Sequence, residues 1–309
     1  MNFLLYSQKC IMNLDINVLD ETAELTEEIA KRFLESGVHF GQVMKNRSPK
    51  MDEYVYGIAK NGIQIINLDE MWNCLKKAGT LLRKLSAEDK NILFVGTNKK
   101  AVSKVLEEFS ESHNLNYMTN RWLGGTLTNP ITRNRIGYLR ELEGIEQSGL
   151  INSMTAKEKS FLNKKLKKLK KNLGGLKKIK GPIHAIVIID PMYEINASLE
   201  AFKKSNNLSI LALADTDCRF SPDEFNIVIP CNVSSICSLK EVMSILVAYI
   251  EEGRKEAAVR KSNIAKAKTT IKPIVSSHQV QSQIVKKPVS QIKIIKQENQ
   301  EENMEVKGE

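Results

Sequence analysis

The 309-residue sequence predicts an α/β fold, a three-layer domain on a mostly parallel sheet that is interrupted by an α-helical, coiled-coil-like hairpin. Three observations predict it. Continuous apolar runs at 91–95, 185–189 and 210–214 are of the kind buried on both faces of a parallel sheet. The first two are each followed by a stretch that reads as helix, which is the βα alternation of such folds. Between the first and second runs lie two helical stripes, with Ile136, Leu139, Leu142 and Ile145 on one and Leu162, Leu166, Leu169 and Leu173 on the other. A short turn between them makes an antiparallel hairpin.

Taken in order, residues 1–25 form an N-terminal extension. Its short apolar run, Phe3-Leu4-Leu5-Tyr6, has neither the length nor the basic start of a secretory signal, and Met12 is a second candidate start. No window approaches the ~18 apolar residues of a membrane span, so a soluble chain with no membrane partner is expected. The first part of the α/β domain occupies 26–129. A short helix with acids in its first turn ends at Gly37, and Lys45, Arg47 and Lys50 then cluster around Pro49. Strand-like runs at 54–56 and 63–66 flank Asn61-Gly62, a tight-turn signal that predicts a hairpin. Asp69 is placed to cap a helix carrying Trp72, Leu75, Ala78, Leu82 and Leu85 at helical spacing, with Trp72 in the core. Strand 91–95 runs into Gly96-Thr97 and a helix N-terminus. That loop lacks the Gly-x-Gly-x-x-Gly and Walker patterns of mononucleotide sites, but Lys99 and Lys100 suit a single phosphate.

The stretch from Asn120 to Asn129, Asn-Arg-Trp-Leu-Gly-Gly-Thr-Leu-Thr-Asn, combines a cation, an indole, a glycine pair and small polar groups. A glycine pair takes positive φ without strain and so turns successive amides toward one oxyanion, while Arg121 offers a forked donor of phosphate geometry. On this reading Arg121, Gly124, Gly125, Thr126 and Asn129 contact RNA. The bland alternative is a chain reversal with Trp122 filling the core.

The hairpin spans 130–176. Its first helix carries Arg133, Arg135 and Arg140, and its second opens on Thr155-Ala-Lys-Glu158, a capping-box spacing. Residues 157–180 hold eleven lysines against one acid, a charge that repels itself unless a polyanion neutralises it. Lys164, Lys165, Lys168 and Lys171 are therefore RNA-contact candidates, as are Arg133 and Arg135 on the first helix and Lys45, Arg47 and Lys50 around Pro49, whose bland alternative is a solvated turn. The second part of the α/β domain covers 177–254, with a helix from about Glu194, a last strand at 227–229 and a last helix at 239–249. Asp190 and Asp215 fall at strand C-terminal ends, where α/β crevices lie. They read either as an acid–base or metal pair or as caps, and the lack of a neighbouring nucleophile or His favours caps. Residues 255–309 turn to Lys, Gln, Ser and Glu, which predicts a disordered tail with some helix at its start.

The excess of 46 Lys+Arg over 36 Asp+Glu, net +10, predicts a polyanionic partner. Five cysteines, odd in number and without a Cys-x-x-Cys pair, and four scattered histidines predict neither disulfides nor a metal site.

The 120–129 loop resembles the signature loop of the bacterial-type second protein of the small ribosomal subunit. Other blocks are similar to that family in the same order: Gly37-Val38-His39-Phe40-Gly41, Asn61-Gly62-Ile63, Gly96-Thr97-Asn98-Lys99-Lys100, Asn172-Leu173-Gly174-Gly175, Ala214-Asp215-Thr216 and Glu252-Gly253-Arg254. Gln42 and Arg47-Ser48 stand where the family usually carries His and Trp-Asn. The resemblance implies a flavodoxin-like five-stranded sheet and no reaction or cofactor. It also implies binding to small-subunit rRNA and to neighbouring small-subunit ribosomal proteins, including the large mRNA-binding one, in a cytoplasmic, plastid or mitochondrial ribosome. An α/β enzyme holding a phosphate at Gly96 to Lys99, or a free RNA-binding regulator, is the competing expectation.

Overall fold

The computed structural model describes residues 24–97, 100–148, 155–179 and 181–270; the side chains of Ala101, Arg133 and 264–270 are outside the description. The extension before 24, Asn98, Lys99, the hairpin turn and the tail after 270 therefore lie outside it.

Five parallel strands, β4 (Asn91–Val95), β5 (Asn116–Met118), β6 (Ile183–Ile189), β7 (Ser209–Ala214) and β8 (Ile227–Pro230), pair in the order β5-β4-β6-β7-β8. This is the flavodoxin-like order, with its reversal point between β4 and β6. The apolar runs are continuous because both faces are covered. Along β4, Ile92 and Phe94 enter one core while Leu93 and Val95 enter the other, and β6 and β7 alternate in the same way. The first core is closed by α1 (Glu27–Ser36), α2 (Leu68–Ala87), α3 (Lys100–Ser112) and α7 (Ile236–Thr270). The second is closed by α6 (Ile195–Phe202) and by the sheet-proximal ends of α4 (Pro130–Gln147) and α5 (Ala156–Leu173). Trp72 is among the largest fully buried side chains, as its spacing predicts.

The capping box of α5 forms as read: Thr155 N donates to Glu158 at 3.1 Å and Glu158 N to Thr155 at 3.5 Å. The cap of α2 is different. Asn67 holds the start by accepting from Asp69 N at 3.0 Å, and Asp69 stands inside the first turn, where its charge faces the helix dipole.

A second, antiparallel sheet was only half foreseen. The hairpin at Asn61-Gly62 joins β2 (Val55–Ile58) to β3 (Ile63–Ile66), with Gly62 at φ +78°, and β1 (Phe40–Val43) adds to the other edge of β3. Residues 40–43 read as loop because a four-residue segment containing glycine shows no period; pairing with β3 makes it a strand. Gly41 is there for packing, since a Cβ would lie 2.6 Å from Thr216 Cγ2.

Two further glycines mark close approaches. Helix α7 does not stop near Tyr249 but runs through Gly253, where a Cβ would sit 2.3 Å from the Arg83 carbonyl of α2. The segment leaving the hairpin lies on edge strand β5, and a Cβ on Gly175 would come within 2.2 Å of the Tyr117 carbonyl. Backbone cannot yield as a side-chain tip does. Gly175→Ala is expected to cost about 1–3 kcal/mol through overpacking, read as a fall in the urea midpoint at unchanged m.

Candidate nucleic-acid interface

The 122–128 turn is a cradle of amides, as the glycine pair predicts, but it is already filled. Glu200 of α6 enters it. Its Oε2 accepts from Trp122 Nε1 at 3.0 Å and Gly125 N at 3.0 Å, and its Oε1 accepts from Leu127 N at 2.8 Å, Thr128 N at 3.0 Å and Thr128 Oγ1 at 3.1 Å. Lys204 donates to Leu127 O at 2.9 Å, so the same helical region also ties the loop from its carbonyl side.

Several of these residues also have internal roles. Gly125 is needed for its φ of +83° and for the space taken by Asn129, 2.7 Å from where a Cβ would lie. Thr126 is buried and donates to Leu123 O at 2.5 Å. Asn129 caps α4 by accepting from Ile131 N at 2.9 Å, and Trp122 is core. The loop turns outward Arg121, Gly124, Thr128 and Asn129, all exposed, with open space around Gly124.

A second internal carboxylate occupies the reversal point of the sheet. Glu194 is buried and accepts from Thr97 N at 2.5 Å and Thr97 Oγ1 at 2.6 Å, just where a flavodoxin-like crevice would hold a phosphate. Burial pushes its carboxyl above the usual carboxylate range, against the opposing pull of the two Thr97 hydrogen bonds. Asp215 is also committed, accepting from Gln42 Nε2 at 2.8 Å and from Thr216 N at 2.7 Å. The contacts of its carboxylate favour the structural reading of Asp215 over an acid–base role. The Asp190 backbone carbonyl accepts from Tyr193 N and Glu194 N at the start of the turn into α6.

The cations separate into groups. Arg47 pairs with Asp52 in a forked contact, next to exposed Lys45 and Lys50. Lys100 is exposed at the start of α3, while Lys99 and the Arg133 side chain lie outside the described residues. In the hairpin Lys170 pairs with Glu146 at 2.6 Å and Lys177 with Glu143 at 3.2 Å. Arg140 donates to the carbonyls of Lys177 and Ile179, which makes it a brace for the chain leaving the hairpin. No described carboxylate forms an ion pair with Arg121, Arg135, Lys164, Lys165, Lys168 or Lys171. Four of these six, Arg121, Arg135, Lys165 and Lys168, line one open groove between the loop and the hairpin. Asn120 braces that junction by donating to Lys171 O at 2.7 Å.

A family model described as ribosomal protein S2 matches residues 33–253, more than half of the chain. The chain belongs to the ribosomal protein S2 family. Proteins of the ribosomal protein S2 family are structural constituents of the small ribosomal subunit and serve translation from within the ribosome. Among the described residues no helix is long and apolar enough to cross a membrane, and no group of three or more His, Cys, Asp or Glu could hold a metal ion. In this ribosomal protein S2 chain the residues that sequence reasoning missed are Glu194 and Glu200. Six residues apart, Glu194 at the N-cap of α6 and Glu200 within it reach two loops some seventy to one hundred positions earlier. The one local signal was acidic residues beside an otherwise apolar helix, which is too common to single them out.

Proposed function

We propose that this ribosomal protein S2 family member binds small-subunit rRNA through the face formed by the Arg121 loop and the helical hairpin. The observation that carries the reading is the convergence of Arg121, Arg135, Lys165 and Lys168 on one groove without carboxylate partners, beside exposed Lys164 and Lys171. Unpaired cations held together by a fold are self-repelling until a polyanion arrives. Lys45, Arg47, Lys50 and Lys100 supply further contacts around the rim of the α/β domain, and Gly124 lets the RNA backbone approach the loop. Neighbouring small-subunit proteins, the large mRNA-binding one among them, complete its partners.

The enzyme alternative is opposed by Glu194 and Glu200. Each fills with its own carboxyl group the donors that a substrate phosphate would need, the Thr97 amide and hydroxyl for Glu194 and the 122–128 cradle for Glu200. The role is structural. The expected result with full-length chain and small-subunit rRNA is a steep salt dependence, log K falling by about 0.7 to 0.9 per phosphate contact for each unit of log salt. Filter binding across a salt series measures it. A nearly flat curve, or failure to co-sediment with small subunits at moderate salt, would exclude the reading.

A further inference from the structure

Resting on that RNA-binding reading, we propose that the groove between the Arg121 loop and the hairpin receives an unpaired nucleotide turned out of its rRNA helix. Its base lies on the apolar floor, and its flanking phosphates meet the cations of the rim.

The floor decides between a nucleotide and a duplex. It is built from Leu123, Tyr138, Leu169 and Leu173. An A-form duplex presents phosphates and riboses outward and keeps its bases stacked inside, so apolar side chains beneath it would gain nothing. A flat base gains from them, because every base has a π face that stacks on a ring or hydrocarbon. Tyr138 is half-buried, and Lys165 Nζ stands 4.6 Å from its ring centroid and 5.9 Å from that of Phe161, which is 64% exposed. The ring face is thus turned to the groove and already attracts a cation. A base stacking on Tyr138 displaces the ammonium toward the phosphate that follows it. An acidic amphipathic segment of a protein would also match four cations around an apolar floor. The exposed lysines, however, continue along α5 beyond the groove at Lys164, Lys167 and Lys171, a track suited to a continuing phosphate chain.

The test compares a short RNA stem-loop with one bulged nucleotide, the same stem fully paired, and the bulged stem made abasic at the bulge, all against the full-length chain. The bulged stem is expected to bind about tenfold to hundredfold tighter than the paired one, the range of one stacked base. The abasic site is expected to remove that difference. Tyr138→Leu keeps apolar bulk without the ring and should lose most of the preference while leaving paired-stem affinity unchanged; Tyr138→Phe should retain it. Lys168→Ala should weaken all three RNAs alike. Equal, salt-sensitive binding of bulged and paired stems overturns the base pocket but leaves RNA binding standing. Binding of none of the RNAs overturns the RNA reading itself. An acidic amphipathic peptide that binds in a Lys168-dependent way, with no preference among the RNAs, assigns the groove to a protein segment instead.

Discussion

Trp122→Ala is expected to lower the unfolding free energy by roughly 3 to 5 kcal/mol, because a buried indole leaves a cavity that its neighbours fill only in part. The ring is 7% exposed and packs in the core that closes one face of the sheet, and its Nε1 donates to Glu200. Arg121→Ala, one residue earlier, is expected to behave oppositely. Its side chain is exposed at the groove, so the melting curve should barely move while rRNA affinity falls about tenfold to hundredfold, the loss of one charge-assisted contact of roughly 1.5 to 3 kcal/mol. Denaturant unfolding and filter binding of both variants measure the contrast. An Arg121→Ala chain that melts early and still binds would make the arginine a clamp and remove it from the interface.

Glu200→Ala is expected to cost several kcal/mol as well. The carboxylate takes five donations from four residues, and each buried donor left unpaired costs about 1–3 kcal/mol. Trp122 Nε1 and Leu127 N are the two for which water is least available. Glu200→Gln should not rescue fully, because both oxygens face donors and an amide would turn its own NH2 on one set of them. The loop would lose its shape along with its stability, so Arg121-dependent RNA binding should fall in parallel. Hydrogen exchange at the Gly125, Leu127 and Thr128 amides gives the direct reading: faster exchange confined to that loop is expected, and unchanged protection would show that Glu200 is not what holds it.

Much of this was legible from local pattern. A run such as 185–189 signals a doubly buried strand through composition alone, Thr155 and Glu158 signal a helix start through spacing, and Asn61-Gly62 signals a hairpin through backbone freedom. The lysines of α5 signal a polyanion because charge is visible without coordinates. The 40–43 strand, the continuation of α7 through Gly253 and the cap at Asn67 escaped such reading, since each depends on which partner the segment meets.

The sequence by itself determined the α/β class, the inserted hairpin and the basic character, because hydrophobic period, turn chemistry and net charge act over a few residues and survive any arrangement of the rest; the family was legible in the order of its motif blocks. Only the tertiary structure decided how the 122–128 amides are used. Sequence shows that a glycine pair is able to cradle an anion, but not which anion. Here the fold brings Glu200 from α6 to Gly125, 75 positions away, and turns a candidate phosphate cradle into an internal brace. The surface left for a partner is the one the same packing creates beside it, where Arg121 meets Arg135, Lys165 and Lys168 across a gap that no local rule reveals.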